Sequence, residues 1–454
     1  MRRSVHFYLP HKTSSDVSSK DVLLSTLTHE RYGFDVVNTR AKARPGSLLL
    51  FWTSTFPSVK FIEEWCSDNS ILYLFNHFPR SVEVGHKRRL YKRMLEETQA
   101  GRQFLPLAFD CARCAPEAEQ SKLLLSLLPN TALEGNRRKY WITKPHRAGG
   151  GRRVEVWETA TLVEALRCAW RRESMGKQGP REVAAKCGDK RKRNKPLNSI
   201  DRKDGFRLDC VIQAYVHNPF LIEGRKCDFR AYVLVCADKI YVYKEGLVRR
   251  ASRLYTLDHE SLGDPYIHVT NNVVNKRNIP AKGCRARFGA SENLLFSTLV
   301  AKDERLDAQI WVEVIFSQLK TIAYRTFSTG LLQNKRVQAA LESHGMKGHE
   351  KVSETEKPSR VSAVAKLPRA ETAPRRQINC FELFGVDVLL DDQLGLHLLE
   401  VNHMPELETS AHAKADRAMN ATLVQDLFDI VLGDGATDTN LFEAVATEEE
   451  VRRT

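Results

Sequence analysis

The sequence of 454 residues predicts a multi-lobed protein of the α+β or α/β class. Short apolar runs near the N-terminus and a strand-rich second half predict β-structure, and segments with helical spacing of apolar residues lie between them. Two polar, charged stretches, 171–207 and 343–377, interrupt this pattern and are typical of solvated, disordered insertions. A chain of this length allows two or three domains.

The first predicted elements belong to a small N-terminal α/β unit. Residues 46–56 and 71–75 are rich in aliphatic and aromatic side chains, as buried strands are. A basic helix is expected at Lys87–Glu97 and a further strand at Lys139–Thr143. We assign residues 1–75 to an N-terminal α/β domain.

The later helices and the domain division follow from the same patterning. Helices are expected at Thr161–Arg171, Asp307–Thr321 and Asp416–Val431. The predicted units after residue 75 are a central domain, a C-terminal domain and a tail: 76–206 with the basic insertion at 171–207, 207–435 with the second insertion at 343–377, and 436–454.

The net charge of +14 indicates an acidic partner. Nucleic acid and an acidic protein tail both meet this requirement, and charge alone does not separate them. No apolar run reaches the roughly 18–20 residues of a membrane helix, and no N-terminal stretch has the apolar core of a signal peptide. We therefore expect an intracellular, soluble protein without a membrane partner, whose cysteines are thiols.

The segment from Cys227 to Val235 predicts a strand with ionisable side chains on one face. Its period-two pattern places Lys226, Asp228 and Arg230 together, opposite an apolar face. Two cations flanking a carboxylate are suited to bind phosphate oxygens and to keep the carboxylate ionised. A surface ion-pair ladder is the alternative interpretation of the same strand.

Residues 380–403 predict a β-hairpin around the turn signal Asp391–Gly395. In this hairpin Asp387 faces Glu400 across the ladder, and Asn402 lies on the same face as Glu400. Oxygen ligands of this kind favour magnesium, with ATP phosphates completing the coordination. The alternative is a buried acid neutralised by lysine or arginine. The hairpin contains neither residue type, which favours the metal.

Two shorter signals agree with a phosphate ligand. Lys144 directly follows a predicted strand, and the glycine-rich run Ala148–Gly151 comes soon after it. A lysine with a flexible glycine loop can cover phosphates, although a plain turn has the same composition. Arg249 lies just past a strand and a turn, where it can clamp a substrate carboxylate or be exposed.

Together these segments resemble the tubulin tyrosine ligase-like family, whose members share an ATP-grasp-type fold. The resemblance covers about Phe75 to Leu432 and implies an ATP-grasp-like ligase fold, with the ATP-grasp domain at 207–435. Within the family, the sequence looks most like the polyglutamylases. The motifs that carry the resemblance occur in order: Asn76–Pro79, Trp141–Pro145, Gln213–Val235, Tyr243–Arg249, His268–Asn271, Phe381–Asp387 and Leu398–Asn402.

The resemblance also implies a role for each matching residue. The implied ATP-binding residues, with the adenine hinge at Gln213 to Val216, are Lys144, Gly151, Gln213, Ala214, Tyr215, Val216, Lys226, Asp228, Thr270 and Asn271. The implied magnesium ligands are Asp387, Glu400 and Asn402. The implied catalytic residues are Lys226, Arg230 and Arg249. Arg249 would hold the carboxylate of the incoming amino acid, and His403 matches a residue near the acceptor peptide.

The implied activity is ATP-dependent polyglutamylation of tubulin. ATP would activate a glutamate side-chain carboxylate of a tubulin tail as an acyl phosphate, and free glutamate would then join it through an isopeptide bond. The implied partners are the acidic C-terminal tails of tubulin in microtubules, with accessory subunits left open. The implied location is the cytoplasm and cytoskeleton, with the flagellum or basal body as a narrower option.

Other functions are compatible with the same residues. A glycine or tyrosine ligase on this scaffold would differ only in the amino acid that it incorporates. A non-catalytic microtubule-binding scaffold would not require the magnesium ligands, which are all present. A nucleic-acid-binding protein could use the basic insertion, but that stretch lacks interleaved aromatic residues.

Several positions depart from the family pattern. Arg153 replaces a loop glycine, Cys227 replaces a phenylalanine, and Asn-His-Met-Pro, beginning at Asn402, replaces Asn-x-Ser-Pro. Asn420 stands where many relatives have a lysine that faces the amino-acid substrate. These departures leave the choice of amino acid open, while the ATP and magnesium set is intact.

Overall fold

The structure is a computed structural model with two β-sheets and helices packed against them. The residues that it describes are 3–8, 22–36, 45–66, 68, 70–97, 104–111, 116–127, 139–146, 151–176, 206–236, 239–275, 277–278, 293–328, 378–407, 414–433 and 439–445. Among these residues no helix has the length and apolar character needed to cross a membrane.

The strands are short at the N-terminus and longer in the second half of the chain. In chain order they are β1 Arg3–Tyr8, β2 Phe34–Val36, β3 Leu48–Thr53, β4 Leu72–Phe75, β5 Ala108–Cys111, β6 Tyr140–Pro145, β7 Glu155–Glu158, β8 Cys210–Ala214, β9 Leu221–Ile222, β10 Arg225–Cys236, β11 Lys239–Tyr243, β12 Leu247–Arg250, β13 Leu294–Leu295, β14 Ile378–Leu390, β15 Leu396–Asn402 and β16 Phe442–Ala444.

The helices lie mainly between and after these strands. They are α1 at 22–27, α2 Val59–Trp65, α3 Val82–Gly85, α4 Lys87–Glu97, α5 Glu117–Leu127, α6 Thr159–Gly176, α7 Pro265–His268, α8 Asn272–Asn275, α9 Phe296–Val300, a 3₁₀ turn Glu304–Leu306, α10 Ala308–Ile310, a π-helical segment Trp311–Phe316, α11 Ser317–Phe327 and α12 Lys414–Val431.

The larger sheet has twelve strands and joins the two ends of the chain. Strands β1 to β4 are parallel, and β4 pairs in parallel with β14. Strands β9 to β13, β15 and β16 complete an antiparallel half around β14. The segments assigned to the N-terminal and C-terminal domains, and part of the predicted tail, therefore share one sheet.

Both faces of the larger sheet are buried, which explains the almost continuous apolar runs of its central strands. Val233 and Ile322 of α11 lie in a core on one face, and Leu234 and Leu427 of α12 lie in a core on the other. The smaller sheet has the order β5-β8-β6-β7, and α6 packs on it. A cleft between the two sheets contains the candidate site.

The mixed α/β class is confirmed, and so are the main predicted elements. The basic helix has the predicted limits, and the hairpin pairs Asp387 with Glu400 as expected. The helix predicted to end at Thr321 continues to Phe327, and its first turns include the π-helical segment.

The start of the predicted basic insertion was wrong. Residues 171–176 are the last turn and a half of α6, because Trp170 and the preceding apolar residues pack on the smaller sheet and carry the helix forward. The end of the predicted insertion was wrong as well, because Phe206 packs against Trp157 of β7 with ring centres 5.5 Å apart. Residues 177–205 of that insertion, and the whole of the second insertion at 343–377, lie outside the described residues.

Candidate active site

The cleft between the sheets collects most of the residues that the sequence singled out. Its lining includes the predicted residues Lys144, Gly151, Gln213, Ala214, Tyr215, Val216, Lys226, Asp228, Arg249, Thr270, Asn271, Asp387 and Glu400. Three predicted residues are not part of this lining: Arg230, Asn402 and His403. Arg230 and Asn402 nevertheless contact Asp387 directly.

Lys144, near the end of β6, is a buried cation held by neutral groups. Its Nζ donates to Gln213 Oε1 at 2.6 Å and to the carbonyl of Leu399 at 3.3 Å, and it lies 3.5 Å from the hydroxyl of Tyr91. Burial lowers the pKa of Lys144 to about 8. Among the described residues it has no carboxylate within ion-pair distance, so an anion entering the cleft would gain a buried partner.

Lys226, on β10, is the second buried cation of the cleft. Its Nζ donates to the hydroxyl of Tyr215 at 3.0 Å and lies 4.2 Å from the centre of that ring. Burial, with a further contribution from Lys144, lowers the pKa of Lys226 to about 7. The side chain is 6% exposed, which rules out the surface ion-pair ladder as an account of this position. Two close, buried ammonium groups favour a ligand of high negative charge.

Asp387, on β14, is neutralised by arginines of two neighbouring strands. Arg230 forms a bidentate pair with it, one contact being Nη2 to Oδ2 at 2.9 Å. Arg249 Nη2 lies 2.8 Å from Asp387 Oδ2, and its Nε donates to Asp228 at 2.8 Å. Although burial opposes it, the charge of both arginines holds the pKa of Asp387 well below its usual range.

These contacts correct the argument made from the hairpin alone. The hairpin contains no lysine or arginine, but β10 supplies Arg230 and β12, one strand further along the sheet, supplies Arg249 for Asp387. Helix α4 supplies Lys87, whose Nζ lies 3.0 Å from Glu400. Strand neighbours that are far apart in sequence decide which charges meet, so a local stretch cannot show that a carboxylate lacks a cation.

The donor set still fits a magnesium ion. Asp387 and Glu400 are directly opposite in the β14–β15 register, and Asn402 Nδ2 lies 3.4 Å from Asp387 Oδ2. Among the described residues, no group of three or more His, Cys, Asp or Glu side chains could hold a metal. Two carboxylates and an amide oxygen suit magnesium when phosphate oxygens supply the other ligands.

Gly151 requires the absence of a side chain. Its φ is +68°, and a Cβ placed there would lie 2.7 Å from Val269 Cγ1. The backbone therefore approaches the Val269–Asn271 segment closely, in a conformation that favours glycine. The other glycines of the predicted loop, at 149 and 150, lie outside the described residues.

The two predicted substrate contacts differ in their surroundings. Arg249 is 7% exposed and already paired with two carboxylates. His403 lies beside α3, where a Cβ on Gly85 would come within 2.9 Å of its Nδ1, and its ring centre is 6.3 Å from that of His77. Burial lowers the pKa of His403.

Sequence reasoning missed several contributors to the site. Lys87 and Tyr91 of α4 reach Glu400 and Lys144, and the only available signal was the basic character of that helix. His268 bonds to the hydroxyl of Tyr215 at 2.9 Å, and burial lowers its pKa to about 4. The apolar part of the lining was also missed and comprises Pro106, Ile142, Val154, Leu389 and Leu399.

A family model for the tubulin-tyrosine ligase family matches residues 66–329 and 323–439. The chain is 26% identical over 369 residues to "Tubulin monoglutamylase TTLL4" of Homo sapiens, covering 78% of this chain and 23% of that protein. It is 32% identical over 233 residues to "Probable tubulin polyglutamylase TTLL2" of Mus musculus, covering 51% of this chain and 35% of that protein. It is 30% identical over 241 residues to "Probable tubulin polyglutamylase TTLL9" of Bos taurus, covering 52% of this chain and 41% of that protein. The chain thus spans well under half the length of these relatives.

Proposed function

Because this chain belongs to the tubulin-tyrosine ligase family, we propose that it is an ATP- and magnesium-dependent ligase with an ATP-grasp-like fold that joins glutamate to glutamate side chains of tubulin. The observation that carries the proposal is the pair of buried lysines, Lys144 and Lys226, which lack a carboxylate partner among the described residues and share a cleft with Asp387 and Glu400. This arrangement suits a polyanion that brings a divalent cation with it.

The acceptor carboxylate would attack the terminal phosphorus of ATP, which releases ADP and gives an acyl phosphate. The amine of free glutamate would then attack the acyl carbon, forming the isopeptide bond and releasing inorganic phosphate and a proton. Lys144 and Lys226 would hold phosphate oxygens through charge-assisted hydrogen bonds. Asp387, Glu400 and Asn402 would hold magnesium. The apolar lining and the backbone of Gln213 to Val216 would receive the adenine ring, while Asp228, Thr270 and Asn271 complete the pocket.

Arg249 would hold the carboxylate of the incoming amino acid, and Arg230, outside the cleft lining, would act through its ion pair with Asp387. Arg249 is paired with Asp228 and Asp387 in the ligand-free structure. Magnesium held by Asp387 would supply positive charge there, and guanidinium donors of Arg249 would then be available to a substrate carboxylate. His403, next to Asn402, would lie near the acceptor peptide.

The proposed acceptor is an acidic tubulin tail in the cytoplasm and cytoskeleton, including flagellar or basal-body microtubules. The net charge of +14 supports this partner, since a basic protein attracts an acidic peptide over a longer range than direct contacts reach. Accessory subunits are compatible with the proposal. The attraction should weaken as salt concentration rises.

The decisive experiment is ATP-dependent incorporation of radiolabelled glutamate, glycine or tyrosine into microtubules by the full chain. We expect glutamate incorporation that disappears in Glu400→Gln, because the amide removes one of the two opposed carboxylates. Incorporation of glycine or tyrosine instead would replace the proposed substrate while retaining the ligase. Microtubule binding without incorporation of any of the three would indicate the non-catalytic scaffold.

A further inference from the structure

A cluster of charged side chains beside the cleft has no role in the proposed reaction. His146 directly follows β6, and its Nδ1 is hydrogen-bonded to Asp209 Oδ1 at 2.8 Å. Its Nε2 lies 2.9 Å from Asp110 Oδ1, an ion-pair distance at which the two atoms are not aligned for a hydrogen bond. Arg88 of α4 pairs with the second oxygen of Asp110. The His146 side chain is 10% exposed, so the two carboxylates, rather than water, are its main polar partners.

The two-sided contact selects the protonation state of the ring. Two carboxylate oxygens within 3 Å of the ring nitrogens favour the imidazolium, because the positive ring is attracted to both charges and a neutral ring would place a nitrogen lone pair beside one of them. Asp110 raises the pKa of His146 in spite of burial, and Asp209 adds to the effect. Arg88 and His146 outweigh burial and lower the pKa of Asp110. Among the described residues, His86 is a further titratable neighbour of His146, and burial lowers its pKa.

The cluster is connected to Lys144 through the smaller sheet. Asp110 on β5, Val211 on β8 and Lys144 on β6 form one row of directly opposed residues, so their side chains project from the same face. Helix α4 lies across this face, because Arg88 pairs with Asp110 and Tyr91 contacts Lys144 one turn later. The hydroxyl of Tyr91 also donates to a carbonyl of β15 at 2.8 Å, which links α4 to the larger sheet.

We propose that His146 is a positioning residue whose charged ring fixes Asp110 as the partner of Arg88 and so holds the smaller sheet, with Lys144, against α4. The role of Lys144 as a ligand of nucleotide phosphate comes from the proposed function, and the inference rests on it in that respect. The docking of the smaller sheet on α4 does not depend on the proposed function. Loss of the second ring proton at alkaline pH releases one carboxylate, and the docking of the sheet on α4 then weakens.

The test uses the full chain without nucleotide. Amide hydrogen exchange of Leu90 and Tyr91, corrected for the intrinsic effect of pH, is compared at about pH 6 and about pH 9, on either side of the ordinary imidazole range. His146→Gln keeps the size and polarity of the side chain but removes the charge. His397→Gln is the matched control, because His397 also pairs with a carboxylate, Asp391 at 2.7 Å, but on the β14–β15 hairpin rather than on the smaller sheet.

We expect the amides of α4 in wild type and in His397→Gln to lose protection from exchange at the higher pH. In His146→Gln the protection of these amides should be low at both pH values. A difference of about three- to fivefold is expected from one partly exposed ion pair. Equal protection of His146→Gln and wild type at the lower pH, or an equal pH response of both, would overturn the proposal. If His146→Gln does not fold, Asp209→Asn makes the same test, since it removes one of the two carboxylate charges.

Binding of a non-hydrolysable ATP analogue supplies a second readout. The ratio of the dissociation constants of His146→Gln and wild type should fall from about three- to fivefold at about pH 6 toward about one at about pH 9. A ratio that stays constant with pH indicates a merely structural residue and contradicts the proposal. If no form of the chain binds the analogue while the exchange difference persists, the proposed function fails and the positioning role of His146 stands.

Discussion

The two buried lysines predict a steep pH dependence of nucleotide binding. Lys144 and Lys226 have pKa values of about 8 and about 7 in the ligand-free protein because burial disfavours the ammonium form. A bound polyphosphate stabilises the charged forms, so binding takes up protons when the pH exceeds these values. Affinity should therefore be greatest below about pH 7 and fall as the pH rises.

The expected magnitude follows from the two pKa values. At about pH 9, protonating Lys144 costs about a factor of ten and protonating Lys226 about a factor of a hundred. If both are charged in the complex, the affinity falls by up to about a thousandfold relative to acidic pH, or about 4 kcal/mol. The change should come mostly from Lys226, whose pKa is the lower of the two.

Calorimetric titration with a non-hydrolysable ATP analogue and magnesium measures this effect. Repeating the titration in buffers of different ionisation enthalpy gives the number of protons taken up at each pH. Lys226→Gln should bind more weakly at acidic pH and lose the larger part of the pH dependence. An affinity that is constant between about pH 6 and about pH 9, with no proton uptake, would refute the assignment of these lysines to the phosphate site.

Further substitutions test the energetics of the same site. Lys226→Met should raise the melting temperature near pH 7 and flatten its pH dependence. The pKa of Lys226 in the folded protein lies below its ordinary value of 10.5, so the unfolded chain binds more protons than the folded one between about pH 7 and pH 10.5. Wild-type stability therefore rises with pH in this range, and the methionine variant should lack that rise. Asp387→Asn leaves two arginines with excess buried charge and should destabilise the protein by about 3 kcal/mol in denaturant unfolding; an unchanged midpoint would contradict the buried network. Gly151→Ala should weaken nucleotide affinity measurably more than Gly46→Ala, which has a similar φ of +72° but no atom within 4 Å of the added Cβ; equal effects would mean that close approach is irrelevant.

Local sequence patterns predicted the elements that carry the site. The hairpin was correctly predicted, including the pairing of Asp387 with Glu400, because turn residues and alternating apolar positions fix register within a short stretch. The same alternation placed Lys226 and Asp228 on one face of β10. The limits of α6 were less accurate, since the charge of residues 171–176 outweighed their helical continuation in the pattern.

The sequence by itself determined which residue types are present and which neighbours share a face, and this was sufficient to predict the α/β class, the family resemblance and most of the cleft lining. Only the tertiary structure decided the charge partners. Arg230, Arg249 and Lys87 reach the hairpin carboxylates from other strands and from α4. His146, just after β6, meets Asp110 of β5 and Asp209, which directly precedes β8. Ion pairing depends on distances of a few ångströms between segments far apart in the chain, and hydrophobic burial of the sheets sets those distances.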